Sequence, residues 1–303
     1  MSTVFILFFS FTFLNAQHFE IGRMEIDFID HSREDRHIGA LVLYPSDSSG
    51  TNVPLAQPVM NQYPVIVFGH GYLMPVEAYR NVWEWVVPEG FVFVLPQSGS
   101  GIFPSHLEFG QDMAFLLDEM RRLGNTPSSL FFGRVRSDGC LMGHSMGGGA
   151  AFLGALYSDA IATIVTLAPL LTKPSSAEAA RELTLPSLIF AGTDDCINPP
   201  EKHQVPIYDS LQCSHKIYIA IQGGSHCQMA SSNRLCNFAE NSCGIKPGIT
   251  REEQHRVLER YMLPWLKYYL YGDTASGNIF EEQLMSDTAI NYCKVGSIKS
   301  ESR

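Results

Sequence analysis

The stretch LMGHSMGGGA, residues 141–150, sets one serine among four glycines directly after an apolar run. Its centre, Gly143-His144-Ser145-Met146-Gly147, is a G-x-S-x-G pattern between a predicted strand, GCLMG (139–143), and a predicted helix, SMGGGAAFLGALYS (145–158). In that context it reads as a nucleophile elbow, a sharp strand-to-helix turn that holds a serine in a strained backbone conformation. Small neighbours are needed because larger side chains would collide with the adjoining strand and helix. The turn lifts the hydroxyl above the C-terminal edge of a sheet, at a helix N-terminus whose dipole and free amides favour developing negative charge. The pattern alone is weak, and the alternative is a Gly-rich turn carrying an idle serine. The strand and helix on either side argue against that alternative.

Outward from this turn, short apolar runs read as eight strands: 24–29, 38–44, 64–69, 91–96, 139–143, 161–168, 185–192 and 216–222. From PVIVFG (64–69) onward they are nearly continuous in hydrophobicity, as suits strands buried on both faces of a parallel sheet. Amphipathic segments predict helices over 76–87, 107–122, 146–158, 202–211 and 250–270, the last opening with the capping-box pair Thr250 and Glu253. Strands alternating with helices indicate an α/β fold with a mostly parallel sheet. Neither an internal repeat nor a linker is evident, so residues 17–303 are read as one catalytic domain. The tail from about residue 272 to 303 lacks strong periodicity and is expected to wrap the surface or to be partly mobile.

The chain has 303 residues, 45% of them hydrophobic, a length that suits one large domain or two small ones. Its net charge of −10, without any Lys/Arg run, argues against a nucleic-acid partner. Val4 to Leu14 is an apolar run of roughly ten residues, near the length of a signal-peptide core and short of the roughly 20 needed to span a bilayer. Residues 1–16 are therefore read as a signal peptide cleaved after Ala16, although no Lys or Arg precedes the run. The product is expected to be secreted or periplasmic, without a membrane span, and monomeric. Seven cysteines fit an oxidising compartment: Cys140, Cys196, Cys213, Cys227, Cys236, Cys243 and Cys293. The odd count leaves at least one thiol free, and Cys140, in the apolar strand before the serine, is the natural one. The absence of any C-x-x-C pair argues against a zinc site.

A serine hydroxyl at neutral pH needs a base, and the base needs an orienting acid. In a strand-elbow-helix architecture the order along the chain is serine, acid, histidine. The run LPSLIFAG (185–192) leads into Thr193-Asp194-Asp195-Cys196, where two aspartates compete and adjacent side chains diverge. Among the histidines after them, His203 falls near a helix start, His215 at a strand start and His255 on the last helix. His226 stands in the Gly-rich loop Gln222-Gly223-Gly224-Ser225-His226, just past a strand, where it can reach back over the sheet edge. An oxyanion needs two amides. One candidate is the N–H of Met146, next to the serine. The other is the N–H of Tyr72, in the loop His70-Gly71-Tyr72 after PVIVFG.

With these residues in place the chain resembles the bacterial cutinases and polyester hydrolases, in the dienelactone-hydrolase-like branch of the α/β-hydrolases. GHSMGGGA (143–150) is similar to their elbow, DCINPPEKHQVPIYDSL (195–211) to their D-x-I-x-P segment, and GGSHCQMA (223–230) to their histidine loop. The segment from His70 to Gln97 also resembles chlorophyllases and related exported esterases. The resemblance spans roughly residues 60–270 and selects Asp195 over Asp194. It implies an α/β-hydrolase fold and a serine carboxylic-ester hydrolase without metal or organic cofactor. Many of those polyester hydrolases carry a Trp after the strand following the elbow helix. Here LAPLLTKPSS offers Leu170 or Leu171, a departure that bears on binding of aromatic polyesters. Some of them also join the acid and histidine loops by a disulfide at slightly different offsets, which implies a Cys196–Cys227 bridge here. Cys196–Cys213 is its rival, with Cys236–Cys243 closing a separate short loop.

The connection between the runs ending at residue 168 and starting at 185 is 16 residues long, too short for a large lid. An uncovered site suits bulky or polymeric esters, and Phe103 in PQSGSGIFPSH (96–106) is a candidate apolar contact at its edge. The leading expectation is ester hydrolysis through an acyl-enzyme at Ser145, with His226 as base and Asp195 as orienter. A peptidase or acyltransferase on the same three residues is the alternative among enzymes. A catalytically silent binding protein on the same fold is the alternative outside them.

Overall fold

The computed structural model describes residues 18–58 and 62–296, so the proposed signal peptide over 1–16 lies outside the described residues. In chain order the elements are β1 (Glu20–Asp30), β2 (Arg36–Ser46), β3 (Gly50–Thr51), β4 (Tyr63–Gly69), α1 (Arg80–Val86), β5 (Val92–Pro96), α2 (His106–Gly124), β6 (Val135–His144) and α3 (Met146–Gly154). The second half adds β7 (Ile161–Leu167), α4 (Ser176–Arg181), β8 (Ser187–Gly192), α5 (Gln204–Ser210), β9 (Lys216–Ile221), α6 (Arg234–Asn241), α7 (Arg251–Leu266), α8 (Thr274–Ser286) and β10 (Ile290–Val295).

The described strands form one sheet in the order β10-β9-β8-β7-β6-β4-β5-β2-β1-β3. From β5 through β4, β6, β7 and β8 to β9 every neighbour is parallel. The antiparallel pairs lie outside this block, at β1–β2, β2–β5 and β9–β10. This is the α/β-hydrolase fold expected, with the eight predicted strands in place and two more added. Side chains alternate across the sheet with period two. Ile66, Phe68, Cys140 and Met142 therefore pack under α1, α7 and α8, while Val65, Val67 and Leu141 pack under α2 and α3. Both faces are covered, which is why these strands read as unbroken apolar runs rather than alternating ones.

The tail departs from expectation. Instead of wrapping the surface, residues 274–295 form α8 and the edge strand β10, which pairs antiparallel with β9. Phe280 and Leu284, one helical turn apart, seat α8 in the core, and Ile290 seats β10. The predicted capping box of α7 is present: Thr250 N–H donates to the Glu253 carboxylate at 2.7 Å, and Glu253 N–H donates to Thr250 Oγ1 at 3.2 Å. The connection from β7 to β8 carries only the six-residue α4, so no large lid is present there.

Candidate active site

Three parallel strands deliver the key side chains to one end of the sheet. Ser145 follows β6, Asp195 lies three residues beyond β8, and His226 lies five beyond β9. Parallel neighbours finish at the same edge, so residues distant in sequence meet there. Ser145 has φ 54° and ψ −115°, a backbone region costly for a residue with a Cβ. The packing shows what holds it. A Cβ on Gly143 would strike the backbone of Gly147, and one on Gly147 would strike the Gly69 carbonyl. Glycine at 143 and 147 lets helix α3 start against the end of β4, and the serine takes the strain of the turn between them.

His226 Nε2 lies 3.0 Å from Ser145 Oγ, and its Nδ1 lies 2.7 Å from Asp195 Oδ2. The other Asp195 oxygen accepts the N–H groups of Ile197 at 2.9 Å and Asn198 at 2.7 Å. Three hydrogen bonds, two from its own loop and one from His226, thus hold the buried acid. Asp194 points elsewhere: its carboxylate accepts from Gly248 N–H at 3.0 Å and from Thr193 Oγ1 at 3.2 Å. Of the other histidines weighed, His203 accepts Leu171 N–H at 3.2 Å, His215 pairs with the Tyr269 hydroxyl, and His255 meets the Ala230 carbonyl at 3.2 Å. Each is occupied in packing.

The loop carrying Tyr72 lies against the start of α3, because Gly69 and His70 carbonyls both face Gly147. Met146 is the first residue of that helix, and its N–H has no carbonyl four residues back within the helix. A buried tyrosine braces this loop: Gly71 N–H donates to Tyr79 Oη at 2.6 Å, and Tyr79 Oη is 3.0 Å from His144 Nδ1. Since Gly71 can only donate, the tyrosine hydrogen is left for the two acceptors beside it, His144 Nδ1 and Met74 Sδ at 3.3 Å. Burial raises the Tyr79 phenol well above its ordinary range, so it stays protonated. His144 is wholly buried with its ring 4.7 Å from that of His226. Burial first, and the neighbouring His226 second, hold it well below the ordinary imidazole range, so it stays neutral. A neutral His144 places no second positive charge beside His226.

Residues beyond those predicted from sequence also reach the site. Asn198 Nδ2 is 3.3 Å from Ser145 Oγ and 3.2 Å from the Ala168 carbonyl. Gln254 on α7 clasps the residue before His226, accepting Ser225 N–H at 2.9 Å and donating to its carbonyl at 2.8 Å. Only the register of D-x-I-x-P, with a polar residue in the variable place, hints at Asn198. Nothing local marks Gln254. At the rim, Tyr72 Oη donates to the Ile102 carbonyl at 2.8 Å, and the next residue, Phe103, is 96% exposed.

The expected Cys196–Cys227 bridge is corrected by the structure, and so are its rival and the short loop. Cys196 pairs with Cys243, and Cys227 with Cys236. Cys236 and Cys243 are seven residues apart, about two helical turns, so they lie along one side of α6 and its C-terminal end instead of meeting each other. Cys140 is buried and free as expected, with Cys213 and Cys293 also free. A cavity of about 710 Å³ between β1 and α2, lined by Met24, Phe28, Leu123 and Phe131, lies toward the opposite end of β6 from Ser145. It takes no part in this chemistry. Among the described residues there is no group of three or more His, Cys, Asp or Glu side chains able to hold a metal ion, and no helix long and apolar enough to cross a membrane.

Comparison with known proteins adds family context. A family model described as PETase, PET hydrolase-like, matches residues 22–282. The chain is similar to Cutinase 1 of Thermobifida cellulosilytica, 26% identical over 217 residues, which cover 71% of this chain and 71% of that protein. It is 27% identical over 218 residues to Cutinase est1 of Thermobifida alba, covering 71% of this chain and 63% of the other. It is 22% identical over 242 residues to the bis(hydroxyethyl) terephthalate hydrolase of Streptomyces coelicolor, covering 78% of this chain and 63% of the other.

Proposed function

The chain belongs to the PET hydrolase-like family of carboxylic-ester hydrolases, and from that premise we propose that it cleaves bulky or polymeric esters through an acyl-enzyme on Ser145. The observation that carries this reading is the continuous chain Ser145 Oγ, His226 Nε2, His226 Nδ1, Asp195 Oδ2, with links of 3.0 and 2.7 Å. His226 takes the Ser145 proton as Oγ attacks the ester carbon. Asp195 keeps a hydrogen on Nδ1, so that Nε2 is the nitrogen free to accept. The N–H groups of Met146 and Tyr72 receive the oxyanion. His226 then protonates the departing alcohol, and water repeats the sequence to release the acid.

The short β7–β8 connection and the exposed apolar rim at Tyr72, Ile102 and Phe103 support access for large substrates. The names of the relatives point toward polyesters. Leu170 or Leu171 in place of a tryptophan favours aliphatic over aromatic ones. Two disulfides fit a secreted or periplasmic location, and one continuous sheet fits a single catalytic domain over residues 17–303.

The test is covalent labelling by a fluorophosphonate, with the adduct mapped by mass spectrometry, beside hydrolysis of p-nitrophenyl esters of increasing chain length and of polyester films. Labelling at Ser145, and a loss of about 10⁴ to 10⁶-fold in kcat for a folded Ser145→Ala, are expected. Retention of more than about a tenth of the activity in that variant refutes the assignment.

A further inference from the structure

We propose that Asn198 is a further catalytic residue, one that donates a hydrogen bond to Ser145 Oγ throughout the reaction. The proposal rests on the reading of Ser145 as nucleophile.

Asn198 is 3% exposed and sits in the acid loop, its own N–H donating to Asp195 Oδ1 at 2.7 Å. Its side-chain Nδ2 is 3.2 Å from the Ala168 carbonyl and 3.3 Å from Ser145 Oγ. A carbonyl can only accept, so the group facing Ala168 must be the NH2, which fixes the orientation of the amide. That NH2 has two hydrogens. One serves Ala168, and the other is directed at Oγ. Ala168 is itself held at φ 45°, unusual for a residue with a Cβ, so this carbonyl is anchored in a constrained turn just past β7.

A serine oxygen carries one hydrogen and two lone pairs. With Asn198 filling one lone pair, the hydrogen is left to point at His226 Nε2, 3.0 Å away. On attack, the proton passes from Oγ to Nε2 and the Oγ–carbon bond forms. In deacylation, water adds to the acyl carbon, the carbon–Oγ bond breaks, and its electron pair stays on Oγ until His226 returns a proton. Negative charge on Oγ is greatest around these two transfers, when the oxygen has lost or not yet regained its hydrogen. A donor already fixed there stabilises that charge without reorganising. Asn198 keeps both its hydrogens in every step. The same amide therefore acts in both halves of the reaction, whereas Tyr72 and Met146 act on the carbonyl oxygen.

The experiment compares Asn198→Ala and Asn198→Asp in the full mature chain. Burst kinetics with p-nitrophenyl acetate separates acylation from deacylation, the fluorophosphonate labelling rate is followed against pH, and thermal melting reports folding. Asn198→Ala is expected to slow acylation and deacylation each by about tenfold to a hundredfold with KM for binding little changed. Asn198→Asp keeps the volume but sets a carboxylate beside Oγ and His226. His226 is already faced by Asp195, His144 and, further off, His203. The added negative charge favours its protonated form, so the pH midpoint of labelling should rise. The midpoint shift reports that the side chain at 198 faces the reacting pair, and the matched loss in both kinetic steps reports the donated hydrogen bond, which a residue that only supports the Ala168 turn would not supply. Should Asn198→Ala fail to fold, the Asp variant alone carries the test. A folded Asn198→Ala within about threefold of wild type in both steps overturns the proposal, as does an unmoved midpoint in Asn198→Asp. Wild-type protein that is not labelled at Ser145 overturns the reading of the nucleophile beneath it.

Discussion

Changing Asp195 to Asn should abolish turnover for a reason visible in its hydrogen bonds. One carboxylate oxygen accepts two backbone N–H groups, from Ile197 at 2.9 Å and Asn198 at 2.7 Å. In Asp195→Asn the carbonyl oxygen must stay there, because an NH2 would face two donors. The NH2 is then forced onto His226 Nδ1, where the carboxylate now sits at 2.7 Å. Meeting a donor, Nδ1 becomes the acceptor and its hydrogen moves to Nε2. That nitrogen then donates to Ser145 Oγ and has no lone pair left for the serine proton. The loss expected for a wrong tautomer is on the order of 10⁴-fold in kcat, about 5.4 kcal/mol of barrier. The neighbouring Asp194→Asn makes the control. Among the described residues its oxygens accept from Gly248 N–H and the Thr193 hydroxyl, an arrangement an amide can keep by turning its oxygen toward Gly248. Its cost should stay under about tenfold. Steady-state hydrolysis of p-nitrophenyl butyrate, with melting curves to show that both variants fold, decides the matter. A hundredfold loss in Asp194→Asn, or a loss under tenfold in Asp195→Asn, would refute the tautomer argument.

Stability should depend on pH through the buried histidines. His144 is depressed by burial and His226, so the native state holds it neutral while the unfolded chain protonates it below about pH 6.5. Its contribution is therefore complete above that pH and is lost below it, by about 1.4 kcal/mol per pH unit for each such histidine. Denaturant titrations between pH 5 and 7.5 should show the decline, and a His144→Gln variant with an unchanged slope would count against it. Of the free thiols, Cys293 is exposed, whereas Cys140 and Cys213 are buried and both raised above the ordinary thiol range by burial. One thiol should react quickly with a disulfide reagent in the native protein and three in denaturant; a different count would break the pairing assigned. Removing Cys196–Cys243 should cost up to about 4 kcal/mol, against about 2.5 kcal/mol for Cys227–Cys236, because the closed loops span 47 and 9 residues. Equal losses in unfolding titrations of the two double-alanine variants would show that loop closure is not the main term.

The elbow could be read from sequence because its constraints are local. Gly143 and Gly147 are demanded by backbone contacts across the turn, and such demands leave only glycine. The central strands were legible for a related reason, since burial on both faces imposes unbroken apolar runs. The edge strand β10 was not: Ile290 is its one core residue, and a half-solvated edge leaves too little pattern to recognise. Helix α6 hid itself differently, because its large apolar side chains Leu235 and Phe238 face outward while its inward side carries Cys236 and Glu240.

That inward side explains why the disulfide pairing could not be inferred. The acid and histidine loops do meet, as their hydrogen bond requires, but the residues that follow Asp195 and His226 turn away from that meeting. They find α6 instead. Cys236 binds the residue after the histidine, Cys243 binds the residue after the acid, and Glu240 between them accepts the Cys227 N–H at 3.0 Å. Cys236 and Glu240 share one face of α6 and Cys243 follows two residues past its end, so this short helix and its exit hold both loops. Arg251 at the start of α7 adds to this, donating to the Cys227 and Ala230 carbonyls and to Asn237 on α6. The separation of His226 from Asp195 is thus fixed from outside the sheet edge, by groups that never touch the reacting atoms. Displacement of about 1 Å at such a pair can cost a hundredfold in rate, so a covalent brace on each loop is where rigidity has the most effect.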